Sequence, residues 1–156
     1  MKIRIIQISK TKDQYLKSGI NEFIKRLGPF CDPEIITLKE VKPTKTFEKE
    51  RCVEAEGKEV LKLLGGTNDF VMCLDENGKT FNSIEFAGFV KKFKDRGKQI
   101  TFVIGGPFGI SEEVKACSDL VFSLSKMTFT HQMVRLFLLE QIYRAFTIIQ
   151  GKNYHN

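Results

Sequence analysis

The chain has 156 residues, of which 42% are hydrophobic and 28% charged, so it suits one globular domain and excludes a disordered, collagen-like or low-complexity protein. No uncharged apolar run approaches the roughly 20 residues that a membrane helix needs, and the N-terminal apolar stretch is too short for a signal peptide. We therefore expect a single cytoplasmic domain over residues 1–156 with no membrane partner, whose formal net charge of +6 favours a polyanionic partner without requiring one.

Apolar β-branched runs alternate along the chain with stretches of helical periodicity. This pattern predicts an α/β domain in which helices flank a parallel sheet. The last three strand candidates are nearly continuous in apolar residues, which is typical of central strands covered on both faces. The predicted strands are residues 2–8, 35–38, 70–74, 100–104 and 120–124.

Helical spacing of apolar residues predicts amphipathic helices near residues 16–27 and 86–93. More than half of residues 39–62 are charged, which predicts a loop at 42–46 and then an exposed helix. A charged face of this kind is most often solvated surface, and this interpretation is favoured over a dedicated RNA-contacting role.

The last predicted helix, residues 132–150, is apolar on almost every side. A helix of this kind must be buried on more than one side, which predicts an oligomer interface in so small a domain. Glu140 and Arg144 stand four residues apart on it and can form an ion pair. That pair serves either to tether the helix or to build a site, and the pattern leaves both open.

The four cysteines lie far apart in sequence, with no CxxC pair and only two histidines to join them. Neither a metal site nor a disulfide framework is predicted from this spacing. We interpret the cysteines as reduced thiols with mostly structural roles.

Ligands bind beyond the carboxyl ends of strands in open α/β sheets, so the loops after the last three strands are the candidate site. The glycines of the loop at 105–109 allow close backbone approach to a ligand, although a plain turn uses similar residues. The loop at 125–128 either holds a polar ligand or only leads into a helix capped by Thr128 or Thr130. ATP and NAD chemistry are not expected, because P-loop and dinucleotide signatures are absent.

Two histidines mark the ends of the last segment, His131 at the start of the helix and His155 near the chain end. A lone histidine is more often a structural hydrogen-bonding group or cap than a catalyst. Tyr154 and His155 stand out in an otherwise polar terminus, because they could stack on or hydrogen-bond to a base.

Several ordered motifs together match a known family: VIGGPFG at 103–109, LSKMTFTHQMVR at 124–135, EQIYRAF at 140–146 and the terminal Tyr154-His155. With these motifs, and with KIRII and KRLGPF near the N-terminus, the whole chain resembles the ribosomal RNA large subunit methyltransferase H family. The members of that family are pseudouridine N3-methyltransferases of the SPOUT superfamily.

The resemblance implies a SPOUT-type parallel sheet flanked by helices, a C-terminal trefoil knot and a homodimer. It also implies S-adenosylmethionine as the methyl donor, with no metal. The donor contacts that it assigns are Leu74, Gly105, Leu124, Ser125, Lys126, Met127, Thr128 and Phe129.

The substrate that the resemblance implies is a pseudouridine of large-subunit ribosomal RNA, methylated on the assembled ribosome. His131 and Tyr154 are the expected substrate contacts. His155 or a group from the dimer partner would assist removal of the imide proton, while Arg135 or Arg144 would stabilise charge on the base.

Two positions depart from the family pattern: Thr130 stands where proline is usual, and Asn156 stands where a basic residue is usual. Two other functions stay open at this point. One is a ribosome-binding or RNA-binding factor that keeps the fold without catalysis. The other is an enzyme that acts on a small anionic nucleotide held by the glycine-rich loop.

Overall fold

Five strands pair in parallel into one sheet, in the spatial order β2-β1-β4-β3-β5. The computed structural model describes residues 1–152. The α/β architecture and the parallel sheet are therefore confirmed. The strands are β1 (Lys2–Ile8), β2 (Asp32–Leu38), β3 (Phe70–Thr80), β4 (Ile100–Ile104) and β5 (Leu120–Ser123).

Helices cover both faces of this sheet and bury a separate apolar cluster on each face. One face packs against α1, α3 and α5 and includes Ile5, Phe102 and Leu138, while the other packs against α2 and α4 and includes Ile6 and Val103. Alternate residues of β1 and β4 thus serve opposite clusters, as the two-residue period of a strand requires. The helices are α1 (Gln14–Leu27), α2 (Lys49–Leu64), α3 (Ser83–Asp95), α4 (Glu112–Cys117) and α5 (His131–Ile149).

The prediction that the strand at Leu120 is central was wrong. Strand β5 stands at the end of the strand order, while β1 lies inside the sheet. The apolar character of β5 has another cause: Phe122 is buried under α3, with ring centroids 5.4 Å from Phe86 and 5.7 Å from Phe81. Aromatic cover on an edge strand produces the same continuous apolar pattern as a central position.

Strand β3 does not end at Leu74 as predicted but continues to Thr80. Phe122 of β5 pairs with Leu74 and again with Lys79, so the segment between these two residues bulges out of the ladder. Gly78 passes so close that a Cβ there would lie 2.7 Å from the backbone nitrogen of Phe122. The end of β3 and the whole of β5 therefore form one tightly packed unit.

Other boundaries differ by a few residues and have local explanations. Strand β2 begins at Asp32 and tolerates Pro33 because it lies at the sheet edge. The six-residue helix α4 was not predicted, although Ser111 caps it by accepting a hydrogen bond from the Val114 amide. Thr130, one of the two predicted caps, accepts a 3.2 Å hydrogen bond from the Met133 amide, so α5 begins at His131.

Among the described residues all four thiols are free, and three of them are buried. Burial raises the pKa of Cys31 and of Cys73 to about 12, which keeps both thiols protonated. Among the described residues, no helix is both long enough and apolar enough to cross a membrane.

Candidate functional site

Residues 74–77 within β3 and the loops that follow β4 and β5 meet in one open cleft of about 690 Å³ at the carboxyl edge of the sheet. This volume lies within the usual range for small-molecule sites. The predicted meeting of the three strand-end loops is therefore what the structure shows. Seven of the eight residues assigned to the methyl donor line this cleft: Leu74, Gly105, Leu124, Ser125, Met127, Thr128 and Phe129.

The glycine-rich loop forms one wall of the cleft and is also a tight turn. The Gly109 amide donates a 3.1 Å hydrogen bond to the Gly106 carbonyl, and Gly109 has a φ of +90°, which favours glycine. A Cβ on Gly105 would lie 2.6 Å from the carbonyl carbon of Gly109. The turn can therefore close only with glycine at position 105.

A second wall carries charge. Lys115 forms ion pairs with Asp75 at 2.8 Å and with Glu112 at 2.9 Å, and Asp75 also accepts a 2.9 Å hydrogen bond from the Asn77 amide. Burial raises the pKa of Asp75, but the hydrogen bonds from Lys115 and Asn77 outweigh it and leave the pKa below its usual value. The hydrogen bond to Asp75 raises the pKa of Lys115. Both groups are therefore charged at neutral pH.

The loop between β5 and α5 is held by its own hydroxyl groups. The Ser125 hydroxyl accepts a 2.9 Å hydrogen bond from the Met127 amide, and the Thr128 hydroxyl donates a 2.6 Å hydrogen bond to Glu76. Met127 is 73% exposed at the cleft, whereas Phe129 packs its ring 4.9 Å from Phe137. The loop thus presents apolar side chains to the cleft above a fixed backbone. Lys126, the eighth assigned residue, is exposed and does not line the cleft.

His131 also lines the cleft, from the first turn of α5. Burial lowers the pKa of His131, and the positive charges of Arg135 and Lys12 lower it further. The negative charge of Glu40 acts in the opposite direction and raises this pKa. The net direction is downward, so the imidazole is neutral at neutral pH. A neutral imidazole can accept or donate a hydrogen bond at the mouth of the cleft.

Arg135 lies behind His131 and does not line the cleft. Its side chain is 1% exposed, and its guanidinium donates hydrogen bonds to the Ile8 carbonyl at 2.5 Å and to the Thr11 hydroxyl at 2.9 Å. Its buried Nε atom has no hydrogen-bond partner among residues 1–152, and burial lowers the Arg135 pKa to about 10. These contacts join α5 to the loop after β1.

The Glu140–Arg144 pair that the spacing predicted is present, with Arg144 Nη2 2.6 Å from Glu140. Arg144 stands 13 residues after His131 on α5, which corresponds to about 20 Å along the helix axis. It is therefore remote from the cleft of its own chain. Tyr154 and His155 lie outside the described residues.

The sequence reasoning missed the charged wall of the cleft. Asp75 and Glu76 directly follow the apolar part of β3, which was a usable signal for a ligand-facing loop. Lys115 had no such signal, because α4 is too short for helical periodicity to reveal it. The residues that the structure describes contain no cluster of three or more acidic, cysteine or histidine side chains that could hold a metal ion.

A model of the SPOUT methyltransferase family matches residues 1–155 of the chain. Ribosomal RNA large subunit methyltransferase H from Thermotoga maritima is 46% identical over 156 residues, covering 99% of each chain. The protein of that name from Trichlorobacter lovleyi is 44% identical over the full length of both chains. The chain belongs to the ribosomal RNA large subunit methyltransferase H family.

Several solved structures share the fold of this chain. A tRNA (m1G37) methyltransferase from Aquifex aeolicus has a TM-score of 0.55 at 15% identity, over 92% of this chain and 70% of that one. A Legionella pneumophila protein assigned as a methyltransferase was solved with bound S-adenosylmethionine. It has a TM-score of 0.53 at 13% identity, and the match covers 93% of this chain and 66% of that one.

The cleft suits the methyl donor that the family resemblance implies. Met127 and Phe129 offer apolar surface for an adenine ring, and the tight turn at Gly105 brings backbone rather than side chain to the wall. Asp75, Glu76 and Lys115 supply charges of both signs, as the ammonium, sulfonium and carboxylate groups of the donor require. The residues present therefore fit this group.

Proposed function

We propose that the protein methylates N3 of a pseudouridine in large-subunit ribosomal RNA, on the assembled ribosome, with S-adenosylmethionine as donor. The observation that carries this proposal is the meeting of the three strand-end loops in one cleft lined by seven of the expected donor contacts. The name shared by relatives at 41–46% identity supports ribosomal RNA as the substrate. Action on ribosomes would place the protein in the cytoplasm.

The methyl donor supplies a methyl group on a sulfonium, which is already activated for transfer. The task of the chain is to orient that group and to exclude water around it. In this proposal the turn at Gly105 and the loop 124–129 hold the donor, Leu74 closes the third side, and Asp75 and Lys115 fix its charged end. Lys126 would contact the donor or the RNA from the exposed side of that loop.

The acceptor nitrogen of the base carries an imide proton that must leave as the new bond forms. His131 stands at the cleft as a neutral group, and we assign it to contact with the target base. Tyr154 would make a second contact, and His155 would accept the proton. The buried contacts of Arg135 favour a positioning role, in which it holds the loop after β1 under the base.

Arg144 acts in this proposal from a second copy of the chain. Its position about 20 Å along α5 from His131 keeps it from the cleft of its own protomer. A homodimer that pairs the apolar α5 helices would bring it toward the cleft of the partner, where it could stabilise negative charge on the base carbonyls. We also assign to the chain the C-terminal trefoil knot that the family resemblance implies.

Mass spectrometry of ribosomal RNA tests the function directly. Purified ribosomes incubated with the protein and donor should gain one methyl group on a single pseudouridine of large-subunit RNA. Heat-inactivated protein and a His155→Ala variant are the controls. A methyl group on uridine or on small-subunit RNA would contradict the proposed specificity.

The alternative of a non-catalytic factor makes a different prediction for the same samples. A factor of that kind would cosediment with ribosomes but would transfer no methyl group, and calorimetry would detect no donor binding. Donor binding with methyl transfer would exclude it.

A further inference from the structure

A set of exposed lysines lies at the same edge of the sheet as the cleft, on the loops after β1 and β2 and at the start of α2. Within the described residues none of them takes part in an ion pair. We call this set the lysine rim. Its members are Lys10, Lys12, Lys39, Lys42, Lys45 and Lys49.

The rim is continuous with the cleft through two contacts and one electrostatic interaction. The Lys49 ammonium lies 5.3 Å from the centroid of the Phe108 ring, which belongs to the glycine-rich loop. The backbone amide of Lys12 donates a 2.8 Å hydrogen bond to Gln132 on the first turn of α5. The charges of Lys12 and Glu40 both act on His131, so the loops after β1 and β2 converge on that residue.

A buried carboxylate fixes the β2 loop in this position. Glu56 of α2 is 4% exposed and accepts a 2.8 Å hydrogen bond from the Val41 amide. A Cβ on Gly106 would lie 3.1 Å from the other oxygen of Glu56, so this carboxylate also lies directly behind the glycine-rich loop. Further along, Thr44 and Phe47 exchange backbone hydrogen bonds of 3.0 and 3.2 Å, which closes a turn around Lys45. The rim lysines therefore stand on an ordered loop.

The acidic residues on these loops do not neutralise the positive charge of the lysine rim. Asp13 and Glu48 occupy the N-cap positions of α1 and α2, where the positive end of the helix dipole offsets their charge. Glu40 is half-buried and acts on His131. Six exposed cations beside the cleft are left to face a partner.

We propose that the lysine rim is the surface that binds the RNA sugar-phosphate backbone and brings the target base to the cleft. Exposed, unpaired lysines bind phosphate oxygens. Contacts of this kind set the register of the protein on a nucleic acid without reading the base sequence. The inference rests on the proposed function for its substrate class. It also replaces the prediction that the charged segment beginning at residue 39 is only solvated surface.

The fold supplies a matched control at the opposite edge of the sheet. Lys92, Arg96 and Lys98 are exposed at the end of α3 and just before β4, remote from the cleft. The double variants Lys42→Glu/Lys45→Glu and Lys92→Glu/Lys98→Glu each lower the formal net charge from +6 to +2. A comparison of the two variants separates the effect of where the charge lies from the effect of the net charge.

The test is steady-state methylation of purified ribosomes at several salt concentrations, with donor binding measured by calorimetry. We expect the rim variant to raise the KM for ribosomes at least about tenfold and to flatten the salt dependence by about one charge per lysine removed. Its donor affinity and its kcat should stay within about twofold of the unmodified protein. The control variant should keep the KM within about threefold.

Three results would overturn the inference: an unchanged KM in the rim variant, an equal rise in both variants, or a loss of donor binding in the rim variant. A rim variant that fails on ribosomes but binds protein-free large-subunit RNA normally would place the rim against a ribosomal protein instead. Failure of the proposed function is distinguishable, because the unmodified protein would then transfer no methyl group at all.

Discussion

Arg135 shows how one residue can hold two elements of the site together. Its buried guanidinium joins α5 to the carboxyl end of β1 through the Ile8 carbonyl and the Thr11 hydroxyl. Ser9, between these two partners, has a φ of +66°, an uncommon value for a residue other than glycine. A buried charge is costly unless its hydrogen bonds are satisfied, so the arginine is retained either for this connection or for the substrate.

Replacement of Arg135 by methionine separates these two explanations. We expect Arg135→Met to lower the free energy of unfolding by about 1–3 kcal/mol, because the Ile8 carbonyl loses its side-chain donor in a buried site. Urea denaturation of the purified variant measures this change. Unchanged or increased stability together with lost methylation would instead assign the guanidinium to the base.

Gly105 is required by the geometry of its own loop. An added Cβ would lie 2.3 Å from the Gly109 carbonyl oxygen and 2.6 Å from the Ile110 side chain. We expect Gly105→Ala to weaken donor binding at least about tenfold in calorimetry, since the wall of the cleft must move. Gly88→Ala is the control: nothing lies within 4 Å of its Cβ position in α3, and alanine there should stabilise the helix by about 0.5–1 kcal/mol. Normal donor affinity in Gly105→Ala would show that the turn can rearrange without cost.

The pKa of His131 reports the charges around the mouth of the cleft. Because burial and the charge of Arg135 lower it below 6.5, the unfolded chain binds this proton more readily than the folded one. The resulting contribution to stability is fully present above pH 6.5 and is lost as the pH falls through the folded-state pKa.

An NMR titration of the histidine ring signals, assigned with a His155→Gln variant, measures this value. Lys12→Gln should raise the His131 pKa, and Glu40→Gln should lower it, since the two side chains act on the imidazole with opposite sign. A His131 pKa at or above 6.5 would contradict the description of the site.

At the scale of elements, sequence pattern predicted what depends on local periodicity. β1 and β4 have the predicted bounds, and α5 begins at the residue that follows a predicted cap, Thr130. The pattern could not reveal the position of β5, because burial under Phe81 and Phe86 gives an edge strand the composition of a central one. Nor could it reveal that β3 continues to Thr80, since that extension depends on pairing with β5, more than 40 residues later.

The residues of the candidate site likewise include some that local sequence predicted and others that depend on distant contacts. The glycine-rich loop and the hydroxyl-rich loop after β5 were identified from residue type and from their place after apolar strands. Lys115 and Glu56 were missed, because each acquires its role only when a helix packs beside a distant loop. The family motifs added the donor contacts that residue type alone left open.

The packing of β3 against β5 gives a prediction at this scale. In Gly78→Ala the added Cβ would lie 2.7 Å from backbone atoms of Phe122, and backbone cannot rotate away as a side chain can. We expect a loss of at least about 1–3 kcal/mol in the free energy of unfolding, measured by urea denaturation. Gly66→Ala, with nothing within 4 Å of its Cβ position, should be close to neutral. Equal stability of the two variants would show that β3 and β5 can separate at this point.

At the scale of the whole molecule, the chain is small for the task that its site implies. The cleft lies at one end of α5 and Arg144 lies toward the other, so one protomer does not gather all of the proposed groups. Several apolar side chains of α5, among them Met133, Phe137 and Ile149, are only half-buried in the protomer. A second chain on this helix would cover them and would also double the positive charge that ribosomal RNA encounters.

A dimer of this kind has a thermodynamic consequence that does not depend on activity. If folding and association are coupled, dilution favours the unfolded monomer, so the denaturation midpoint must fall as the protein concentration falls. Sedimentation at micromolar concentration should give about twice 17.9 kDa. Ile149→Glu should reduce that mass toward the monomer and abolish methylation, because Arg144 could then no longer reach a partner cleft, while donor binding to the protomer weakens far less, since Ile149 does not line the cleft. An active species of 17.9 kDa with a concentration-independent midpoint would show instead that one chain assembles the whole site.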